Sequence, residues 1–235
     1  MTQRVIFITS DKFISPGQIE NGIDWHSLFG NDRPIALEIG CGTGHFIVER
    51  ARQQPDINFV AIDIYNKGCW KTCKKADALG LTNIRVARAE AGYLLEAAFT
   101  RTPLQAIYIN CPDPWPKKRH RKRRLVNRDF LKRAWHHLAP GGDFYFSSDV
   151  ADYAQDVANL LDKDSAYCNR LDQLLVHHLP GYPPSKYMLR FLDQGLPINY
   201  LHFQRDPAVQ QPRHDAFILT PRTGFRSLWA RVHNE

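Results

Sequence analysis

The feature that most constrains the fold is a glycine-rich turn between a predicted strand and a predicted helix. Residues 35–39 form a short apolar run, and Gly40, Gly42 and Gly44 follow it at alternate positions, before a helical pattern over residues 46–52. Glycines at this spacing let the main chain turn tightly and leave room for a ligand against bare backbone. The pattern predicts a strand–loop–helix unit that carries a binding site.

Strand and helix patterns alternate along the rest of the chain. Further strands are predicted at residues 58–62, 83–87, 105–110 and 143–147, with late candidates at 171–177 and 198–203. Helices are predicted over 69–79, after an N-cap at Asn127, and from Asp149. This alternation favours an α/β fold with a mostly parallel sheet and helices on both faces. We divide the chain into an N-terminal extension (1–34), a main domain (35–204) and a C-terminal extension (205–235).

Three acidic residues stand near the predicted carboxyl ends of the first three strands. Glu38 lies two residues before the glycine loop, Asp63 ends the second strand, and Glu90 follows the third. Asp63 is placed to accept both hydroxyls of a ribose, and Glu90 to accept an adenine amino group. The loop has GxGxG spacing rather than the GxGxxG of dinucleotide folds. A carboxylate before the loop suits a cationic ligand, which favours S-adenosylmethionine over NAD; a glycine turn with solvated acids is the alternative.

A proline-rich loop follows the fourth predicted strand, in the sequence Pro112-Asp113-Pro114-Trp115-Pro116. Ligands bind at the carboxyl ends of strands in open α/β sheets. Pro114 disfavours a helical conformation at Asp113, so its carboxylate is expected on a stiff, extended segment. Trp115 offers a plane for stacking. Asp113 is therefore a candidate for gripping a planar base, against the alternative of a proline turn with a solvated acid.

The eight residues 117–124 carry the whole excess of positive charge. Seven of them are Lys or Arg; the chain has 31 Lys and Arg against 24 Asp and Glu, so the remainder is balanced. Beside a ligand-binding edge, such a run indicates a polyanionic partner, whose phosphates it positions without reading sequence. A solvated surface or a localisation signal is the alternative. The predicted phosphate contacts are Lys118, Arg119, Arg121, Lys122, Arg123 and Arg124.

The sequence shows no pattern typical of a signal peptide or a membrane span. The apolar run near the N-terminus is too short for a signal peptide, and no segment approaches the roughly 20 apolar residues of a membrane span. The five cysteines show no CxxC motif and no histidines beside them, so reduced thiols and no metal site are expected. A cytoplasmic protein is the resulting expectation.

These residues together resemble a known family, the TrmB-like tRNA (guanine-N7-)-methyltransferases. The resemblance runs from about residue 35 to residue 203 and is most specific over residues 112–125. It implies the Rossmann-like class I methyltransferase fold, with seven strands and the last one antiparallel. It also implies tRNA as partner and methyl transfer from S-adenosylmethionine to N7 of the variable-loop guanine, position 46 in the tRNA convention.

The resemblance also assigns roles to particular residues. The family's cofactor-binding residues fall on Glu38, Gly40, Gly42, Gly44, Asp63, Glu90 and Asp113, and its candidate catalytic residue falls on Asp113. Its substrate contacts fall on Lys117, Asp149, Ser185, Lys186, Tyr187, Met188 and Arg190. Two positions depart from the pattern: Glu90 replaces the usual Asp, and Met188 replaces a Glu. From the second departure we expect one lost contact to the guanine edge.

Two other functions stay open at this point. One is an S-adenosylmethionine-dependent methyltransferase acting on another nucleic-acid or protein nitrogen, whose acceptor N–H would have to be polarised and would show a pH dependence. The other is a non-catalytic RNA-binding module on a methyltransferase-like fold, which cofactor binding would exclude. A monomer and a homodimer are both compatible with the sequence.

Overall fold

The computed structural model describes residues 6–209. These residues fold around one eight-stranded sheet. The strands run in the order β1-β4-β3-β2-β5-β6-β8-β7. Their bounds are β1 (Phe13–Ile14), β2 (Ile35–Ile39), β3 (Asn58–Asp63), β4 (Ile84–Arg88), β5 (Leu104–Asn110), β6 (Leu138–Ser148), β7 (Tyr167–Asn169) and β8 (Asn199–Arg205).

Strand direction agrees with the expected class I methyltransferase order. Strands β1 to β6 form the parallel part of the sheet. Strand β8 runs antiparallel to β6, and β7 runs antiparallel to β8. The prediction of a mostly parallel sheet with an antiparallel last strand is confirmed. The count is eight rather than seven because the two-residue strand β1 adds an edge next to β4.

Helices cover both faces of the sheet, as predicted. Apolar residues of α3 and α4 pack in one cluster with Phe59 and Tyr108, while those of α5, α6 and α7 pack in another with Val60 and Ile107. Neighbouring residues of one strand thus serve opposite faces, as the pleat requires. The helices are α1 (Pro16–Glu20), α2 (Trp25–Phe29), α3 (His45–Gln53), α4 (Asn66–Ala78), α5 (Ala91–Ala98), α6 (Arg128–His137), α7 (Ala151–Asp162) and α8 (Lys186–Leu192).

The prediction of a strand over residues 171–177 is wrong. Within that range only Val176 pairs with the sheet, through a single bridge to Tyr200. The strand lies earlier, at β7, and Asn169 ends it: its side chain accepts a hydrogen bond from the Leu171 amide (3.1 Å) and donates to the Gln173 carbonyl (2.9 Å). Such side-chain bonding to nearby backbone forms a turn in place of further ladder pairs.

The segment before residue 35 packs onto the same core as the rest of the chain. Ser15 and Gln18 form a capping box at the start of α1, and Asp24 caps α2. The buried Trp25 donates a hydrogen bond to the Ala98 carbonyl (2.8 Å). The proposed division at residues 34 and 204 stays a prediction, and most of the C-terminal extension lies outside the described residues. Within residues 6–209, no helix has the length and apolar character needed to cross a membrane.

Candidate cofactor and nucleic-acid site

The glycine loop has the backbone that its sequence predicts. Gly40, Gly42 and Gly44 have φ angles of 79°, 55° and 76°, a region that disfavours side chains. A Cβ atom at Gly44 would lie 2.6 Å from the Thr72 side chain, so that glycine lets α3 approach α4. A Cβ atom at Gly40 or Gly42 would meet nothing within 4 Å. The first two glycines therefore border open space, as a ligand-binding loop requires.

Asp63 lies at the end of β3 and is tied to the glycine loop. Its Oδ2 accepts a hydrogen bond from the Gly42 amide (2.7 Å), and its Oδ1 accepts one from the Tyr65 amide (2.8 Å). Burial raises the pKa of this carboxyl group, the backbone bonds oppose that shift, and the charge of Asp113 adds to it. A carboxylate has about four acceptor positions, so Asp63 keeps capacity for a further donor. Asp63 and Asp113, 50 positions apart, thus share one electrostatic environment.

Glu38 is buried beneath the loop instead of lining its surface, with 1% of its area exposed. Its Oε1 accepts a hydrogen bond from Nδ2 of Asn110 (2.9 Å). Burial raises the pKa of Glu38 to about 8, against the opposing effect of the Asn110 side chain and the Ile47 amide.

A polar network that sequence reasoning missed extends from Glu38. Asn110, the last residue of β5, accepts hydrogen bonds at Oδ1 from Ser147 Oγ (3.0 Å) and from the Tyr182 hydroxyl (2.7 Å). Strands β2, β5 and β6 and the loop before α8 therefore meet at one amide side chain. An asparagine ending an apolar strand was the only sequence signal for it.

Glu90 has a structural task that the sequence did not reveal. It is the N-cap of α5, and its Oε2 accepts a hydrogen bond from the Tyr93 amide (2.9 Å). The usual N-cap residues have shorter side chains. Glu90 nevertheless caps α5 despite its extra methylene group. Its Oε1 is the atom left for a ligand.

The proline loop is flanked by two residues in an uncommon backbone conformation. Cys111 has φ 45° and Trp115 has φ 43°, a region that non-glycine residues rarely adopt. The loop is fixed on both sides: the Cys111 amide bonds to the Ser147 carbonyl (3.0 Å), and Arg124 Nε bonds to the Pro114 carbonyl (2.8 Å). Strain of this kind persists where the surroundings over-determine the backbone, and it concentrates at functional sites. Between the two strained residues, Asp113 is exposed.

Arg124 does not have the predicted phosphate-binding role. Its side chain is 5% exposed and pairs with Asp152 (2.9 Å) and Asp156 (2.7 Å), and its guanidinium lies 4.4 Å from the centre of the Tyr153 ring. Arg121 also pairs with both acids. A count of charge along the sequence could not show this, because the two partner acids lie on α7.

The other cations of the basic run remain at the surface. Residues 118–123 form a 3-10 helix. The Arg123 guanidinium lies 4.9 Å from the centre of the Trp115 ring, and the His120 ring is nearly perpendicular to it, at 5.9 Å between ring centres. Trp115 therefore contacts the basic helix through Arg123 and His120. The exposed cations are Lys117, Lys118, Arg119, Lys122 and Arg123.

Met188 is fully buried, so the prediction that it faces the substrate is wrong. It packs with Ile198 and Tyr200. Ser185 Oγ accepts a hydrogen bond from the Met188 amide (3.3 Å), and the Met188 sulfur accepts one from the Ser185 amide (3.2 Å). This is a capping box with sulfur where Glu or Gln is usual. The position serves to start α8, whose exposed residues include Lys186, Tyr187 and Arg190.

Asp149 follows β6, close to the proline loop. Burial raises the pKa of the Cys111 thiol to about 12, and the charge of Asp149 is the next cause. The structure thus brings Asp149 beside Cys111 and two residues from Asp113. Within residues 6–209, no group of three or more His, Cys, Asp or Glu side chains is arranged to hold a metal ion.

Comparison with known proteins defines the class first. A family model described as "Putative methyltransferase" matches residues 32–200. The 16S rRNA methyltransferase KamB aligns with a TM-score of 0.55 at 17% identity, covering 81% of this chain and 92% of that one. An rRNA methylase from Streptococcus thermophilus aligns with a TM-score of 0.51 at 15% identity, covering 74% and 88%. The fold is that of class I methyltransferases.

The sequence relatives define the family. A tRNA (guanine-N(7)-)-methyltransferase of Syntrophotalea carbinolica is 48% identical over 98% of both chains. One from Geobacter metallireducens is 47% identical over 86% of this chain and 97% of that one. The chain belongs to the tRNA (guanine-N7-)-methyltransferase family, which confirms the resemblance stated from its motifs.

Proposed function

We propose that the protein transfers a methyl group from S-adenosylmethionine to N7 of a guanine in tRNA, the variable-loop guanine at position 46. The observation that carries the proposal is the placement of Asp113. It is exposed between the strained residues Cys111 and Trp115, its charge reaches Asp63, and the basic run begins four residues later. A substrate tRNA also supports the expected cytoplasmic location.

The residues around the glycine loop fit S-adenosylmethionine. The open space beside Gly40 and Gly42 leaves room for it, and Asp63 retains acceptor capacity for the ribose hydroxyls. Glu90 Oε1 is the acceptor we assign to the adenine amino group. When bound, the cofactor supplies an electrophilic methyl group on a positively charged sulfur.

The chain's own residues act by positioning. Guanine N7 carries a lone pair and no proton, so no general base is required to make it a nucleophile. We assign to Asp113 the task of orienting the base by accepting hydrogen bonds from its N–H groups, since a well-oriented reactant pair gains much of the available rate enhancement. The rigid backbone on both sides of Asp113 limits the motion that would undo this orientation.

Electrostatics support the same arrangement. Methyl transfer moves positive charge from sulfur into the purine, and we assign the stabilisation of that charge to the carboxylates of Asp63 and Asp113, whose charges interact. Burial is the main cause of the raised pKa of Asp63 and the charge of Asp113 adds to it; a cationic ligand near both acids would oppose that second contribution.

Substrate binding is assigned to the exposed cations of the basic run, to α8 and to Asp149. Lys117, Lys118, Arg119, Lys122 and Arg123 are available to phosphates. Lys186, Tyr187 and Arg190 on α8, together with Asp149, are the proposed contacts near the target nucleotide. The guanine must leave its stacking contacts to reach the cleft, as in other enzymes that act on a base.

The direct test is incubation of the full chain with methyl-labelled S-adenosylmethionine and a single tRNA transcript, followed by nucleoside analysis. The expected product is 7-methylguanosine, and a matched transcript with adenine at position 46 should take up no label. Label in another nucleoside, or in both transcripts equally, would contradict the proposal.

A further inference from the structure

A second group of basic side chains lies on three helices that follow the glycine loop in the chain. His45 begins α3, Lys71 and Lys75 lie on α4, and Lys186 begins α8. We call these four residues the α4 patch. The Lys75 ammonium lies 2.9 Å from Nδ1 and 3.1 Å from Nε2 of His45, whose Nδ1 lies 3.0 Å from Thr43 Oγ1.

The α4 patch has an excess of positive charge without local compensation. None of the ion pairs within residues 6–209 includes Lys71, Lys75 or Lys186. Burial and then the neighbouring lysines lower the pKa of His45, and the same two causes lower the pKa of Lys75. Like charges four residues apart on a helix destabilise it. The Lys75 ammonium is nevertheless held against His45 and is partly buried, which a merely solvated lysine would avoid.

The fold places the α4 patch and the basic run on two sides of the same edge. Helices α3 and α4 cover one face of the sheet, whereas the basic run is tied through Arg124 to α7 on the other face. The glycine loop leads directly into His45, and Asp113 precedes the basic run by four residues. Basic residues therefore flank this edge of the sheet on both faces.

From this arrangement we infer that the α4 patch binds backbone phosphates of the tRNA, so that the RNA contacts both faces of the enzyme across the cleft. The inference rests on the proposed function for the identity of the RNA. A single carboxylate, such as that of a cofactor, would neutralise one of these cations and leave the others uncompensated. A chain of phosphates neutralises several at once and releases their counterions.

The test is the double substitution Lys71→Gln with Lys75→Gln. We expect tRNA affinity to fall about tenfold at moderate salt and the log–log salt slope to fall by roughly 0.7 to 0.9 for each phosphate contact. The matched control removes two exposed lysines, Lys132→Gln with Lys163→Gln, of which Lys163 follows the far end of α7. The control should change neither quantity. Lys75→Arg, which keeps the charge, should retain affinity and shows whether loss of packing alone matters.

Three outcomes separate the possibilities. If the wild type forms 7-methylguanosine but the double variant has the salt slope of the control, the α4 patch is not an RNA site and the proposed function stands. If S-adenosylmethionine affinity, measured by calorimetry, falls instead of tRNA affinity, the patch serves the cofactor and the inference is overturned. If the wild type neither binds nor methylates tRNA, the proposed function fails and the inference fails with it.

Discussion

Asn110 donates a hydrogen bond from Nδ2 to Oε1 of Glu38 over 2.9 Å, and so joins the ends of β5 and β2 beneath the glycine loop. Both side chains are buried. The same amide accepts from Tyr182, which lies in the loop before α8. The elements that carry the proposed cofactor and base contacts therefore share one buried polar junction, and a disturbance there should reach both.

The protonation of Glu38 should make stability depend on pH. Its pKa is raised by burial from 4.5 to about 8 in the folded protein. The folded state thus binds this proton more tightly, and the stability it contributes is complete below about pH 4.5 and is lost as the pH rises toward 8. Glu38→Gln mimics the protonated form. We expect the free energy of unfolding of the variant, relative to that of the wild type, to increase by about 1 kcal/mol or more between pH 5 and pH 8.5. One pKa unit is worth about 1.4 kcal/mol.

Denaturant unfolding at several pH values measures this difference. Asp162→Asn, at an exposed carboxylate at the end of α7, is the control and should show a flat difference from the wild type. An equally flat difference for Glu38→Gln would mean that Glu38 is ionised in the folded protein.

Asp63→Ala should weaken S-adenosylmethionine binding. The carboxylate keeps acceptor capacity after bonding Gly42 and Tyr65, and a hydrogen bond to a charged group contributes about 1.5–3 kcal/mol. A loss of about 10- to 100-fold in affinity is expected, and calorimetry measures it. Direct tRNA binding should change little. Unchanged cofactor affinity in a folded variant would remove Asp63 from the ribose-binding role.

The local sequence pattern was sufficient to predict those elements whose hydrogen bonds lie within a short segment of the chain. The glycine loop, the strand ending at Asp63 and the Asn127 N-cap depend on neighbours in sequence, and Asn127 accepts the predicted bond from Phe130 (3.0 Å). Arg124 could not be placed in this way because Asp152 and Asp156 lie 28 and 32 positions away. Met188 was misplaced because a capping box and a substrate motif share the same four-residue spacing.

The same distinction between local and long-range contacts explains which site residues could be predicted. The sequence placed Asp63 and Asp113 at the ends of their strands because parallel strands share one carboxyl edge. It could not show that Glu38 is buried and bonded to Asn110, since these contacts depend on how the strands and the loop before α8, which carries Tyr182, come together. The α4 patch was also missed, since its four residues come from three helices.

The variants Arg124→Gln and Lys122→Gln should show that one residue of the basic run stabilises the fold and another binds tRNA. Arg124 is buried between two acids and the Pro114 carbonyl, so its loss should cost about 1–3 kcal/mol of stability. Lys122 is exposed, and its loss should change stability by less than about 0.5 kcal/mol. Thermal unfolding checks the first difference. For tRNA binding, Lys122→Gln should lower the salt slope by roughly 0.7 to 0.9; an unchanged slope would mark Lys122 as surface only.

Met188→Glu should destabilise the protein and bring no gain in guanine discrimination. The side chain is fully buried with Ile198 and Tyr200, and a buried unpaired charge costs more than the roughly 1 kcal/mol of a helix cap. Met188→Gln, which can complete the capping box without a charge, is the matched control and should be the more stable of the two at pH 8. Higher turnover on the guanine-46 transcript for Met188→Glu would restore the idea of a missing base contact.

Asp113→Ala should strongly reduce methyl transfer while the fold persists. Asp113 is exposed, so its removal leaves no cavity, and the strained backbone at Cys111 and Trp115 is held by bonds that do not involve its side chain. A positioning role predicts a fall in kcat on the order of 100-fold, the cost of misplacing reacting groups by about an ångström. Asp113→Asn keeps one oxygen acceptor and should retain part of the activity.

Because guanine N7 needs no general base, the residual activity of Asp113→Asn should show no new pH dependence between pH 6 and 9. A bell-shaped profile in the wild type that Asp113→Asn removes would instead identify Asp113 as an acid–base group, and near-normal turnover of a folded Asp113→Ala protein would exclude it from the chemistry.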